Sequence, residues 1–134
     1  MTDTMMKILP FTIIMAAILI VPPIVIRLSK RANERAKEFE RITFNVTYNL
    51  KNKKREEFLA ALDEMGMANR SRLEDGCIMY EYFSSSEDEN KLLLVEKWVN
   101  PAAQRAHMET AHFAELKAIE DEYVLDTLVE KYHG

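Results

Sequence analysis

The sequence predicts an α+β domain carried behind an N-terminal transmembrane helix, and three observations lead there. Residues 8–26 contain no charge, residues 42–50 alternate apolar and polar with period two, and apolar residues in 58–65 recur at helical spacing. The chain has 134 residues and a net charge of −4 at pH 7, unevenly divided. Residues 1–41 carry +3 and residues 42–134 carry −7. An acidic domain of this kind is a poor nucleic-acid binder, so no nucleic-acid partner is expected.

After a short tail, 1–7, the uncharged run is long enough to cross a bilayer. At roughly 1.5 Å per residue its nineteen residues reach about 28 Å, close to the hydrocarbon thickness. A secretory signal would need a basic n-region and a small-residue cleavage site; here Asp3 offsets Lys7, and the run exits through Pro22-Pro23 into Arg27. The expectation is a retained anchor over 8–28. A charged helical stalk follows over 29–41, with Arg27, Lys30, Arg31, Arg35 and Lys37 flanking the span on its C-terminal side. By the positive-inside rule the rest of a single-pass membrane protein then lies in the cytoplasm. The lone cysteine, Cys77, has no partner for an internal disulfide.

Residues 42–134 form the domain. Ile42–Leu50 is a strand with one buried face. Asn52 is a candidate cap for a helix holding Phe58, Leu59, Leu62 and Met65, which Gly66 ends or bends. Asp75-Gly76 turns the chain into a second strand, Cys77 to Ser84, and the polar loop Ser84–Asn90 leads to a third, Lys91 to Val99. Asn100-Pro101 starts a helix, with Asn as cap and Pro at the first helical position. A last strand fits Tyr123 to Lys131. Strand, helix, strand, strand, helix, strand is the ferredoxin-like order. So small a domain is short of core. Phe83, Tyr80 or Tyr82, and Val95 or Leu94 populate the sheet face away from the helices, so a partner surface is expected to cover it.

The groups suited to chemistry are few. Gly-rich phosphate loops, Cys-rich metal sites and nucleophile elbows are missing, and three glycines leave little room for a dinucleotide fingerprint. His107 and His112 stand five apart. On an unbroken helix they point about 140° from each other and do not chelate a metal from one face; a break near Thr110, itself a candidate cap, turns both into one pocket. One of them as a core or cap histidine with the other solvated is the competing reading. Trp98, at a strand end, suits core packing. Tyr80 and Tyr82 share a strand face and offer phenolic hydrogen bonds, or pack with their hydroxyls at the surface. Glu96 shares the Trp98 face, either as a buried acid or base or as the partner of a cross-strand Lys or Arg.

Taken in order, Asp75-Gly76-Cys77 running into Tyr80-Glu81, the strand Leu92–Trp98 closing on Glu96-Lys97-Trp98, and His107-x4-His112-Phe113 make the chain resemble the antibiotic biosynthesis monooxygenase superfamily, over about ninety residues from Ile42 onward. The resemblance implies a homodimer in which two sheets pair into an α/β barrel. It also implies oxidation of a phenol or quinol by O2 without metal or organic cofactor, in members where a base deprotonates the substrate and the substrate then reduces oxygen. His107 or His112 takes the role of base, a task that an imidazole near neutral pKa suits. Trp98, which matches a cavity-lining Trp in several members, joins Tyr80 or Tyr82 as the wall, with Glu96 on the same face. Two other activities stay open: isomerisation of a small phosphorylated ketone, with Lys51, Lys53 and Lys54 near an anion site, or ligand binding without turnover. Haem degradation fits poorly, because Val46 and Lys117 occupy the positions where those enzymes use Asn and the ligating His.

Overall fold

The computed structural model describes residues 22–134. Helix α1 (Pro23–Glu38) has no buried residue. It follows Pro22, whose carbonyl accepts from Val25 N at 2.9 Å, and Pro23 suits the first helical position because its missing N–H needs no partner there.

This start corrects the membrane assignment. Residues 8–21 of the expected anchor lie outside the described residues, yet the anchor required one continuous helix through 8–28, and residue 22 belongs to no helix. Among the described residues no helix is long and apolar enough to cross a membrane. Helix α1 itself bears Arg27, Lys30, Arg31, Arg35 and Lys37, charges that are costly inside hydrocarbon. The single-pass membrane placement, and the cytoplasmic side deduced from it, therefore do not stand.

The chain divides after Arg35 into two units, and the second, Ala36–Gly134, contains everything that follows. Its elements are β1 (Ile42–Leu50), α2 (Arg55–Glu64), α3 (Met67–Arg72), β2 (Cys77–Ser84), β3 (Lys91–Trp98), α4 (Pro101–Met108), α5 (Ala111–Tyr123) and β4 (Val124–His133). The strands form one antiparallel sheet in the order β2-β3-β1-β4. This is the ferredoxin-like α+β arrangement, and within one chain the sheet is open at β2 and β4 rather than closed as a barrel.

Period-two alternation sorts the side chains as expected for a sheet covered on one face. Ile42, Tyr48, Leu50, Tyr80, Leu92, Leu94 and Trp98 are buried on one side with Phe58, Leu62, Met67 and Leu116 from the helices. Phe58 is fully enclosed and meets Tyr48 edge-on at 5.5 Å between ring centroids. The opposite face carries Leu93, Val95, Phe83, Leu128 and Tyr132, the last three 40, 56 and 49 % exposed. Of the residues expected on that face, Phe83 and Val95 lie there, whereas Tyr80, Tyr82 and Leu94 face the helices.

Local details depart from expectation in three places. Lys54, not Asn52, stands at the N-cap of α2, without a side-chain cap bond. The turn is held instead by Asn90 Oδ1, which accepts from Lys53 N at 2.8 Å. Gly66, at φ 65°, does not simply end the helix but joins α2 to α3, a short helix that polar MANRSR gave no reason to expect. Strand β4 extends two residues further than the pattern suggested, because it pairs with β1 all the way to Ile42.

Gly76 fixes the approach of the next segment. Its φ is +85°, and a Cβ there would stand 2.7 Å from Ala103 Cβ and 2.8 Å from Val99 Cγ2. Only glycine accepts both the backbone conformation and the contact. Its carbonyl takes Val99 N at 2.9 Å, which pins the Glu74–Gly76 turn against the start of α4.

Candidate functional site

The site is built where α4 meets α5. Asn100 caps α4, accepting from Ala103 N at 2.8 Å. After Met108 the helix stops, and Thr110 caps α5: its Oγ1 accepts from Phe113 N at 3.3 Å and donates to the His107 carbonyl at 2.7 Å. The break removes the 140° separation and brings both histidines inward, His107 in the last turn of α4 and His112 in the first turn of α5, both buried.

They converge on a residue that sequence reasoning passed over. One oxygen of Glu74, Oε1, lies 2.7 Å from His107 Nδ1 and 2.6 Å from His112 Nε2. A carboxylate oxygen accepts, so each ring nitrogen donates, and a neutral His107 then carries its lone pair on Nε2. That atom is buried and has no hydrogen-bond partner; the nearest acid is Glu96, with Oε2 at 3.8 Å. Burial lowers the His107 pKa, against the opposing pull of Glu74, so the ring keeps its lone pair. The only sequence signal for Glu74 is an acidic residue beside the Asp75-Gly76 turn, and many exposed acids share that setting.

Glu96 and Trp98 are two apart on β3 and face the same way. Trp98 Nε1 donates to Glu96 Oε2 at 3.2 Å. The residues opposite Glu96 on the neighbouring strands are Phe44 and Tyr80, so a cross-strand basic partner is ruled out. Burial pushes the Glu96 carboxyl up to about 7, countered in part by Trp98. His107 packs among aromatic rings, with centroids at 4.9 Å to Trp98, 5.2 Å to Phe113 and 5.4 Å to Tyr80.

Beside these groups lies a cavity of about 260 Å³, walled by Phe44, Val46, Tyr48, Leu94, Met108 and Phe113 and reached by Tyr80, Glu96, Gln104 and His107. Three of the six expected site residues line the cavity and three do not. Tyr80, Glu96 and His107 line the cavity; His112 stands behind Glu74, and Trp98 behind Glu96 and His107. Tyr82 packs edge-on to Tyr80 at 5.9 Å but borders a separate polar hollow of about 350 Å³ with Asp63, Asn69, Arg72 and Glu81. Burial raises both tyrosine pKa values, Tyr80 the more strongly, so neither phenol is ionised near neutrality. The lysines suggested for an anion site lie elsewhere: Lys51 Nζ donates to the Asp121 and Glu122 carbonyls and Lys54 pairs with Glu57.

The family model for antibiotic biosynthesis monooxygenase matches residues 41–118, more than half the chain and the whole of this site. The chain belongs to the antibiotic biosynthesis monooxygenase family. It is 41% identical over 64 residues to "Putative monooxygenase YcnE" of Bacillus subtilis, a match covering 48% of this chain and 65% of that protein. It is 37% identical over 62 residues to the protein sll1783 of Synechocystis, covering 46% of this chain and 41% of the relative. The matches thus span less than two thirds of either relative. Among solved structures, a Bacteroides thetaiotaomicron protein described as a possible oxidoreductase is 31% identical and superimposes with a TM-score of 0.64, over 72% of this chain and 99% of that one.

In this member of the family the raised Glu96 carboxyl has a measurable consequence. Its pKa of about 7 in the fold lies above the ordinary 4.5, so Glu96 favours the folded state below pH 4.5 and loses that advantage as pH rises through 7. The loss is at most about 3 kcal/mol at roughly 1.4 kcal/mol per pKa unit. Trp98, Gln104, His107 and Glu74 are the groups that face it, and of these His107, with its lowered pKa, acts in the opposite sense at acid pH. Comparing denaturation midpoints of wild type and Glu96→Gln from pH 5 to 8 isolates Glu96. The variant should gain on wild type as pH rises, and parallel curves would show that Glu96 does not titrate in this range.

Proposed function

We propose that this chain is a monooxygenase that uses His107 Nε2 to deprotonate a phenol- or quinol-type substrate in the 260 Å³ cavity, after which the substrate anion itself reduces O2. The observation that carries this reading is the buried Nε2, without a partner among the described residues, on a ring that lines an apolar cavity while its Nδ1 is held by Glu74. A lone pair so oriented is what a general base needs, and apolar walls keep water from the reactive anion. For a quinol the balance closes without an added reductant. One atom of O2 enters the ring, the other leaves as water, and the product is a hydroxyquinone. Tyr80, un-ionised, donates to a substrate oxygen, and Glu96, whose carboxyl burial pushes up to about 7, does the same when protonated. His112 and Trp98 act behind the cavity, holding Glu74 and Glu96.

Oxygen uptake by the purified protein with a panel of quinols, with and without chelator, tests this. Oxygen-dependent turnover giving hydroxylated product supports it. Turnover of a phosphorylated ketone without oxygen marks an isomerase, and binding without turnover marks a ligand module; either result overturns the proposal.

The partner in this reading is a second copy. Leu93, Val95, Phe83, Leu128 and Tyr132 on the open sheet face are too apolar to remain in water as a set, and pairing two sheets as in the dimeric barrel of the family covers them. Light scattering at micromolar concentration should report twice the monomer mass. A folded monomer at that concentration would exclude the paired sheets.

A further inference from the structure

From the same three side chains we infer that Glu74, His107 and His112 form a binding site for a divalent transition metal of the zinc type, and, given His107 Nε2 as the base proposed above, that the bound metal switches the base off. Glu74 Oε1, His107 Nδ1 and His112 Nε2 all lie within 4.8 Å of one another. Two imidazoles and a carboxylate are a donor set that suits zinc and its neighbours, with bonds of roughly 2.0–2.2 Å. Donors at such bond lengths sit about 3.0–3.4 Å apart around the ion. Glu74 Oε1 stands 2.7 and 2.6 Å from the two nitrogens, closer than that, so the carboxylate has to draw back to admit a cation among the three donors.

The three residues arrive from three segments, each held by hydrogen bonds outside the three side chains themselves. Gly76 holds the turn that carries Glu74 against Val99 N. The Asn100 cap sets α4, and Thr110 bonds both to His107 O and to Phe113 N, fixing the angle between α4 and α5. Such preorganisation lowers the ordering cost of ligation. The histidine side chains are 1 and 10 % exposed and that of Glu74 15 %, so entry is from the Glu74 side, away from the cavity.

The consequence for the base follows from proton bookkeeping on one ring. A metal at Nδ1 takes the place of the proton that Nδ1 donates to Glu74. If the ring stays neutral, that proton moves to Nε2, and the lone pair there disappears. Glu96 Oε2, 3.8 Å away, is the acceptor closest to the new N–H. Substrate deprotonation at Nε2 then stops although the cavity is unchanged.

Titration of chelator-stripped, full-length protein with Co2+, followed by visible absorption and by displacement with Zn2+, tests the site directly. One Co2+ per chain is expected, together with a higher melting temperature. Glu74→Gln and His112→Gln, changes in two different segments, should each weaken binding by more than the roughly 10–100-fold that losing an outer-sphere partner costs. No stoichiometric binding to folded wild type, or equal binding by wild type and a folded variant, overturns the site. Oxygen uptake with an active quinol should fall in proportion to Zn2+ occupancy and return with chelator; binding without inhibition overturns the switch. If no quinol supports oxygen uptake, the functional reading fails, while the Co2+ titration still decides whether the metal binds.

Discussion

Replacing His107 with Ala should lower kcat for oxygen-dependent turnover by roughly 10²–10⁴-fold, the usual range for loss of a general base. The ring is fully enclosed, yet its Nε2 has no partner among the described residues. Leaving a buried polar atom unpaired costs about 1–3 kcal/mol, and a substrate hydroxyl would satisfy it. The effect should fall on kcat more than on KM, since the proton moves in the reaction and not in binding. Removing the ring also leaves a void among Trp98, Tyr80 and Phe113, so His107→Gln, which keeps much of the volume without the base, serves as a companion. Both variants should keep the wild-type circular dichroism. If both fold and both retain full oxygen uptake, His107 is not the base, and Glu96, with a pKa near 7 at the cavity wall, is the next group to replace.

Glu74→Gln should produce the second-largest effect, a loss in kcat of roughly 10²-fold or more, by a different route. Glu74 lines no part of the cavity; it is a positioning residue. It selects the tautomer of His107 by accepting from Nδ1, and substituting the acid that orients a catalytic histidine by its amide is known to cost up to about 10⁴ in kcat through the wrong tautomer. A Gln amide turned with its N–H toward Nδ1 makes that nitrogen the acceptor and moves the ring proton to Nε2, and turned with its oxygen there it accepts without the negative charge that steadies the imidazolium. Glu74→Asp, which retains the carboxylate on a shorter stem, should recover part of the loss. A purely structural role predicts instead that kcat tracks the melting temperature across Glu74→Gln, Glu74→Asp and His112→Gln; with the positioning role, Glu74→Gln falls well below that trend.

Much of the fold was legible because its signals are local. Ile42–Leu50 and Cys77–Ser84 are strands as read, the first because alternation with period two matches a sheet with one covered face, the second because the Asp75-Gly76 turn marks its start. Asn100-Pro101 opens α4 and Thr110 caps α5, because a side-chain oxygen reaching an N–H three residues on is encoded within four residues of chain. The anchor failed on an equally local point. Counting uncharged residues joins 8–21 to a helix that starts at Pro23, and the proline pair at 22–23 marks that helix start rather than an exit from a span.

The sequence by itself determined the ferredoxin-like order, the family, and the candidate groups: two histidines near a candidate helix break, and Glu96 and Trp98 on one face of a strand. Tertiary structure alone decided which of these groups meet. Glu74 bonds to His107 across 33 residues and to His112 across 38, and no periodicity or capping rule extends that far. Trp98 stands behind the cavity and Tyr82 beside another hollow for the same reason. Strand alternation assigns a side chain to a face, but where along that face a cavity opens is set by how α4 and α5 pack over it.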